Sequence, residues 1–477
     1  MSGTRDGAIA RARAAFTGGQ YLHGLRHLVA VPTESQNSAK SGELQRYCAE
    51  IIPALIEGMG FSGGVVANPL PGRGPALIAA RREDEGLPTV LVYGHGDVVR
   101  GMEGRWSDGL DPWSVTIRDG KWYGRGTADN KGQHLIAIEA LRAVLQERGR
   151  LGFNTVLLIE TGEEVGSPGL REIVRDHCTA FRPDIFIGLD GPRQSTHVPE
   201  LRLGCRGGVA FDLCVRLRDR AHHSGHWGGV LADPAVVLAH ALASIIGKDG
   251  RILVEGWTPR AIPEGVRRAC ANLIFEDLPG LPEPDAWWGE PGLTKAERIF
   301  GWTSAVVLAG LTGIPDAPTN AVQAEAKLRM QVRHTVDVAG PAIIPALRRH
   351  LDAHGHRHVE IVPVQEREMF AASRTDPDDP WIVALAESLT RSTNQAPNLV
   401  PNSSGGNPSA IFAEELGVPV AWVPNGHAGS NQHAPDEHAL EPLLREGLAL
   451  MAGIWWDLGA GLHPPLRNRR DRKGRAA

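Results

Sequence analysis

The stretch that decides the fold is "NTVLLIETGEEVGSPGL", Asn154 to Leu170. Its first half is a continuous apolar run. It breaks at Thr161–Gly162, and two adjacent acids, Glu163 and Glu164, follow in a glycine-bracketed loop. An apolar run too short for a helix and bounded by turn residues reads as a strand buried on both faces. The same grammar recurs in "PTVLVYGHGD" (Pro88–Asp97), in "PDIFIGLD" (Pro183–Asp190) and, after the helical "PSAIFAEELG", in "GVPVAWVPNGH" (Gly417–His427). Between the first two strands of the chain, "KGQHLIAIEALRAVLQERG" from Lys131 to Gly149 reads as an amphipathic helix. Strands apolar on both faces that alternate with helices predict an α/β catalytic domain, its mainly parallel sheet flanked by helices.

Each of these strands finishes in acids or histidines. In open α/β sheets the ligand crevice lies beyond the carboxyl ends of the strands. His95, Asp97, Glu163, Glu164 and Asp190 are therefore expected on one edge, joined by a residue of the last loop. Asp129, in "YGRGTADNKG", opens a helix from a glycine-rich loop. So many carboxylates together would raise one another's pKa. A divalent cation removes that difficulty, and mixed His/carboxylate ligation suits zinc, manganese or cobalt, with two ions using the ligands better than one. A single strand-end Asp or His is more often a turn former or helix cap. Repetition at four strand ends reverses those odds.

The totals exclude several classes. The 477 residues suffice for two domains, and 42% hydrophobic, 22% charged and a net charge of −5 describe a folded soluble chain. No basic excess points to nucleic acid, and no apolar stretch approaches the roughly 20 residues that cross a bilayer. "MSGTRDGAIARARAAF" has the look of an early amphipathic helix, and the C-terminal run "LRNRRDRKGRAA" that of a frayed solvated tail. Five cysteines without Cys-x-x-Cys spacing fit a reducing cytoplasm.

"YGHGDV", "WYGRGTADNKGQ", "TGEEVGS" and "QHAPDEH" together resemble the motifs of the dinuclear-zinc hydrolases: aminoacylases, acetylornithine deacetylase, carboxypeptidase G and carnosinase-type dipeptidases. The likeness is greatest to the carnosinase-type branch and runs from about Tyr21 to Leu458. The resemblance implies that His95 and Asp190 bind one metal ion, Glu164 and His433 the other, and Asp129 bridges both. It implies that Asp97 orients His95 and that Glu163 is the general base for a water at the metals. The paired glutamates would then divide the labour. Where many relatives have a second acid, this chain has Asn130, read as a backbone-geometry position.

From about Arg206 the pattern changes to the apolar/polar alternation of half-exposed antiparallel strands, in "GGVAFDLCVRLRD" and "NAVQAEAKLRMQVRH". The resemblance implies an inserted smaller α/β lid and dimerisation domain with an antiparallel sheet at 206–369, between catalytic segments 1–205 and 370–477. It implies that His223 of "AHHSGHWGG" reaches the neighbouring subunit's site, with His222, His226 or a plain loop histidine as alternatives. Asn320, Arg333 and the glycines Gly405 and Gly406 of "PNSSGGNPSAIF" would contact a substrate carboxylate. Arg333 by itself is equally a strand-surface charge, and Gln323 stands where relatives have a proline. Residues 255–302 hold Trp257, Trp287, Trp288 and Trp302, read first as packing of an elaborated lid and second as a lining for an apolar substrate.

The expected function is metal-dependent hydrolysis of an amide or peptide bond in a small carboxylate-bearing substrate, a dipeptide or N-acyl amino acid. The cofactor would be two divalent ions per subunit, zinc first, and the partner a second copy of the chain. Hydrolysis of a non-peptide C–N bond, as in an aromatic amine or carbamoyl group, is the alternative, and a non-catalytic scaffold the remaining class.

Overall fold

The computed structural model describes residues 3–277, 282–314, 316–364 and 370–466. The charged run after Leu466 and the expected junction at 369 lie outside the described residues. An eight-stranded sheet runs in the order Ser62–Val66, Ala76–Arg81, Asn154–Glu160, Thr89–His95, Ile185–Gly188, Val420–Trp422, Glu200–Arg202, Asn398–Val400. The four strands from Asn154–Glu160 to Val420–Trp422 are mutually parallel, and the two strands before them are antiparallel. These are the four strands whose ends carry the acids and histidines.

Alternation along the strand Thr89–His95 explains why it is apolar throughout. Val90 and Val92 face a core that includes Leu135, Ile138, Leu448 and Trp455. Leu91 and Tyr93 face the other side, where Tyr93, Phe186, Phe412 and Trp422 pack with ring centroids 4.3–5.5 Å apart. Aromatic pairs of this kind add about 0.5–1.5 kcal/mol each beyond their burial. They fasten the helix Ser409–Leu416 to the sheet.

The helix Lys131–Arg148 departs from the amphipathic expectation. Every residue from Lys131 to Leu141 is buried. The sheet covers one side, and the helices Arg5–Thr17 and Glu441–Gly459, from the two ends of the chain, cover the rest. Over these three turns the helix has no solvent stripe, and only near its end, at Gln146, does a side chain become exposed. Gly94 lets it approach the sheet, since a Cβ there would collide with the Cβ of His134.

A second sheet is wholly antiparallel, in the order Ser304–Leu311, Glu325–His334, Gly207–Arg216, Glu360–Val364. Helices Pro234–Ile245 and Ile343–Ala353 pack on it around Phe211, Met330, Leu347 and Trp257. Trp257 is fully buried with its indole N–H donated to the carbonyl of Ile343 at 2.9 Å, as the packing reading expects. Trp287 and Trp288 are instead exposed, edge to face with each other. All five cysteines are free thiols, and no described helix is long and apolar enough to cross a membrane.

Candidate metal centre

The register of the parallel strands sets the site. His95 lies level with Glu160, Tyr93 with Gly188, and Gly188 with Trp422, so the residues after each strand emerge on one edge. There the side chains divide into two groups around Asp129. His95 Nε2 stands 3.1 Å from Asp129 Oδ1 and 3.8 Å from Asp190 Oδ2. His433 Nε2 stands 3.4 Å from Asp129 Oδ2 and 2.9 Å from Glu164 Oε2. Donor atoms of His95, Asp129 and Glu164 all lie within 4.8 Å of one another. His95 Nδ1 faces the carbonyl oxygen of Asp97 at 3.1 Å. That contact orients the ring so that Nε2 faces the carboxylates.

The electrostatics call for a cation. Burial, reinforced by Asp129, pushes Glu164 up to about 7 and Asp190 up to about 6. Burial also drives Glu163 well above the carboxylate range, with Asp190, Glu164 and Asp129 adding to the rise. Asp129 is held low despite its burial, by hydrogen bonds from His433 and His95, and the same contacts with Asp129 and Glu164 lift His433 to about 11. Two imidazoles are thus drawn into the role of counter-ions for an excess of buried carboxylates. Two nitrogen donors with three carboxylates form the borderline donor set that zinc, manganese or cobalt accepts. The residues fit a divalent metal.

Asp97 does more than the sequence indicates. Its fully buried carboxylate accepts the backbone N–H of Glu163 at 3.2 Å and of Glu164 at 3.1 Å, fixing the turn that separates the two acids. Asn130 is buried rather than a ligand. Its Oδ1 accepts from His95 N–H at 3.3 Å and its Nδ2 donates to Leu189 O at 2.6 Å, tying together two of the strand ends. Gln432, which sequence reading passed over, donates to Asp129 Oδ2 at 3.2 Å. Its only signal was its place beside His433.

The remaining expected residues gather elsewhere. His223 pairs with Ala321, next to Asn320, whose carbonyl accepts the N–H of Ser224. Both are exposed, and among the described residues no hydrogen bond or ion pair joins them to the acidic cluster. Arg333 lies across from Gly208 and beside Arg206, a residue that sequence reading also missed. Arg206 is buried, and its Nη2 reaches the carbonyl of Ser404 at 3.4 Å, next to Gly405. Space beside Gly405 is open. Among the described residues neither arginine has a carboxylate partner. Burial, and then the charge of Arg333, lowers Arg206 to about 10.

Residues 91–457 match the family model described as peptidase family M20/M25/M40. A cysteinylglycine-S-conjugate dipeptidase of Corynebacterium striatum is 28% identical over 84% of this chain and 87% of its own length. The human Beta-Ala-His dipeptidase is 27% identical over 82% of this chain and 78% of its own. The solved structure of the dipeptidase Dug1p of Saccharomyces cerevisiae superposes with a TM-score of 0.72 at 20% identity, covering 97% of this chain and all of that one. With the family model spanning most of the sequence, and the metal-ligating residue types converging on one sheet edge, the chain belongs to the M20/M25/M40 peptidase family and is a metal-dependent hydrolase.

Proposed function

We propose that this protein cleaves the peptide bond of dipeptides bearing a free carboxylate, with two divalent ions per chain, zinc first and manganese or cobalt next. The observation that carries the reading is the division of contacts around Asp129. Oδ1 sides with His95 and Asp190, and Oδ2 with His433 and Glu164. Each set would hold one ion, with Asp129 common to both. When bound, the ions lower the pKa of a water and polarise the scissile carbonyl.

Glu163 is the general base, taking the proton of the attacking water and returning it to the leaving amine. Its carboxylate makes none of the ion-pair contacts of the ligand side chains among the described residues, and the Asp97 clamp holds the turn that it shares with Glu164. Arg333, with Asn320 and the amides of Gly405 and Gly406, reads the substrate carboxylate. The dipeptidase activities in the names of both relatives support the substrate class.

Residues 206–369 form a lid and dimerisation domain between catalytic segments 1–205 and 370–477. The edge strand Ser304–Leu311 leaves Val306, Val307, Leu308 and Leu311 exposed. A long apolar edge is a liability unless another strand covers it, which favours a homodimer here. In the dimer His223 reaches the neighbouring site and stabilises the oxyanion. Free thiols suit a cytoplasmic enzyme.

The test is hydrolysis by metal-stripped protein, with and without added zinc, manganese or cobalt, on dipeptides, N-acyl amino acids and aromatic amides. Metal-restored cleavage of dipeptides is expected. Cleavage confined to aromatic amides or carbamoyl compounds would replace the reading with non-peptide C–N hydrolysis, and full turnover without metal would overturn it.

A further inference from the structure

His433 enters the acidic cluster on a polar loop, whose contacts include Asp436 accepting the N–H of Ser107 at 2.8 Å and Gln432 donating to Asp129 at 3.2 Å. The His433 side chain is 52% exposed. Asn431, His433 and Asp436 have φ of 53°, 61° and 62°. Asn and Asp enter the left-handed region readily, but a histidine persists there where its surroundings over-determine it. Asp129, which His433 faces in the cluster, sits in a loop far earlier in the chain. Something must fix the distance between them.

The two segments grip each other reciprocally. Glu437 Oε1 accepts the backbone N–H groups of Gly126, Ala128 and Asp129, each at 3.0 Å. Its Oε2 accepts from Arg125 Nη1 at 2.7 Å, and Arg125 Nη2 donates to the carbonyl of Ala434, next to His433, at 3.0 Å. The carboxylate and the guanidinium are each no more than 1% exposed. The N–H of Gly124 returns to the carbonyl of Glu437 at 3.0 Å. A carboxylate in a concave ring of amides, closed by an arginine, is a rigid joint because every bond in it is charge-assisted or buried. Neither Glu437 nor Arg125 reaches the donor atoms of the cluster. They act through the backbone of the residues that do.

We propose that Glu437 and Arg125 are the positioning pair that sets the spacing of Asp129 and His433, and thereby the affinity of the ion shared by Asp129, Glu164 and His433. The proposal rests on the two-ion reading above. Residues that orient ligands in this way typically change metal affinity by roughly ten- to hundredfold when altered.

The experiment is titration of metal-stripped full-length protein with zinc against a chromogenic chelator, for wild type, Glu437→Gln and Arg125→Lys. Glutamine keeps the shape and one acceptor but loses the charge. Lysine keeps the charge facing Glu437 and cannot span both Glu437 and Ala434. Wild type is expected to take up two ions. Glu437→Gln is expected to hold one ion as before and the other about ten- to hundredfold more weakly. Its activity-versus-zinc curve shifts by the same factor, towards a plateau near that of wild type, which general loss of structure would not produce. Unchanged affinity for both ions in a folded variant overturns the proposal. If Glu437→Gln does not fold by circular dichroism, Arg125→Lys decides by the same two criteria. Wild type that binds fewer than two ions overturns the two-ion reading, and the positioning role with it.

Discussion

Asp97→Asn isolates what the buried carboxylate contributes to the Glu163–Glu164 turn. Both amides of that turn end on Asp97, at 3.2 and 3.1 Å, with no water able to substitute at a side chain of 0% exposure. A hydrogen bond to a charged group is worth about 1.5–3 kcal/mol net, and a buried donor left without an acceptor costs about 1–3 kcal/mol. Asparagine can accept from one of the two amides only. Its own NH2 then faces the other, so one bond is lost and one N–H is stranded, a total of about 3 kcal/mol. If that energy keeps Glu163 aimed at the reacting water, its loss corresponds to about a hundredfold fall in kcat/KM, at about 1.4 kcal/mol per decade. The assay is steady-state dipeptide hydrolysis at saturating zinc, with metal content measured on the same samples so that ligand loss at Glu164 is seen separately. Turnover within about fivefold of wild type at full metal occupancy would refute the argument, because the turn would then hold its shape without the clamp.

Other outcomes follow from the same geometry. Glu163→Gln is expected to retain both ions and lose kcat by about a hundred- to ten-thousandfold, as removal of a general base does; a near-normal rate sinks the base assignment. Arg333→Gln is expected to raise KM for a dipeptide about tenfold or more with little change for its C-terminal amide, since a charged hydrogen bond to the carboxylate is lost; equal effects on both substrates would deny Arg333 that role. Glu160 bears on pH. Burial, with Asp97 nearby, pushes it from 4.5 to about 7, so the folded chain keeps a proton there that the unfolded chain releases. Stability of the metal-stripped protein should therefore fall as pH rises from 4.5 through about 7. Glu160→Gln preserves the acceptor Oε1 that takes both the Tyr93 and Ser167 hydroxyls. It should flatten that fall by about 2 kcal/mol in denaturant titrations at pH 5 and pH 8, and parallel profiles for variant and wild type would contradict it. Val307→Lys on the exposed edge strand should turn a dimer into a monomer by sedimentation; a monomeric wild type with full activity would remove the cross-subunit role of His223.

The sequence alone determined the sheet and the edge on which its acids and histidines gather. Strands buried on both faces must be apolar at successive positions, and that pattern survives in Thr89–His95, Asn154–Glu160 and Ile185–Gly188 without any knowledge of their neighbours. Because the chain reverses direction through helices, those strands are parallel, and their polar endings had to meet on one edge. His95, Glu164 and Asp190 were legible near that edge for that reason, whereas Asp129 was read from its glycine-rich loop and His433 only from the resemblance of its motif. Only tertiary structure decided which oxygen of Asp129 faces which histidine, because no local period encodes the rotation of a side chain. Tertiary structure alone also enclosed the helix Lys131–Arg148, whose covering helices come from the two chain ends. Arg206, Gln432 and Glu437 look like ordinary surface residues in the sequence. Their meaning comes from partners up to three hundred residues away, Asp129 among them. Hydrophobic periodicity is a property of a segment and can be read from it, whereas a buried charge is defined by what the rest of the chain brings to it.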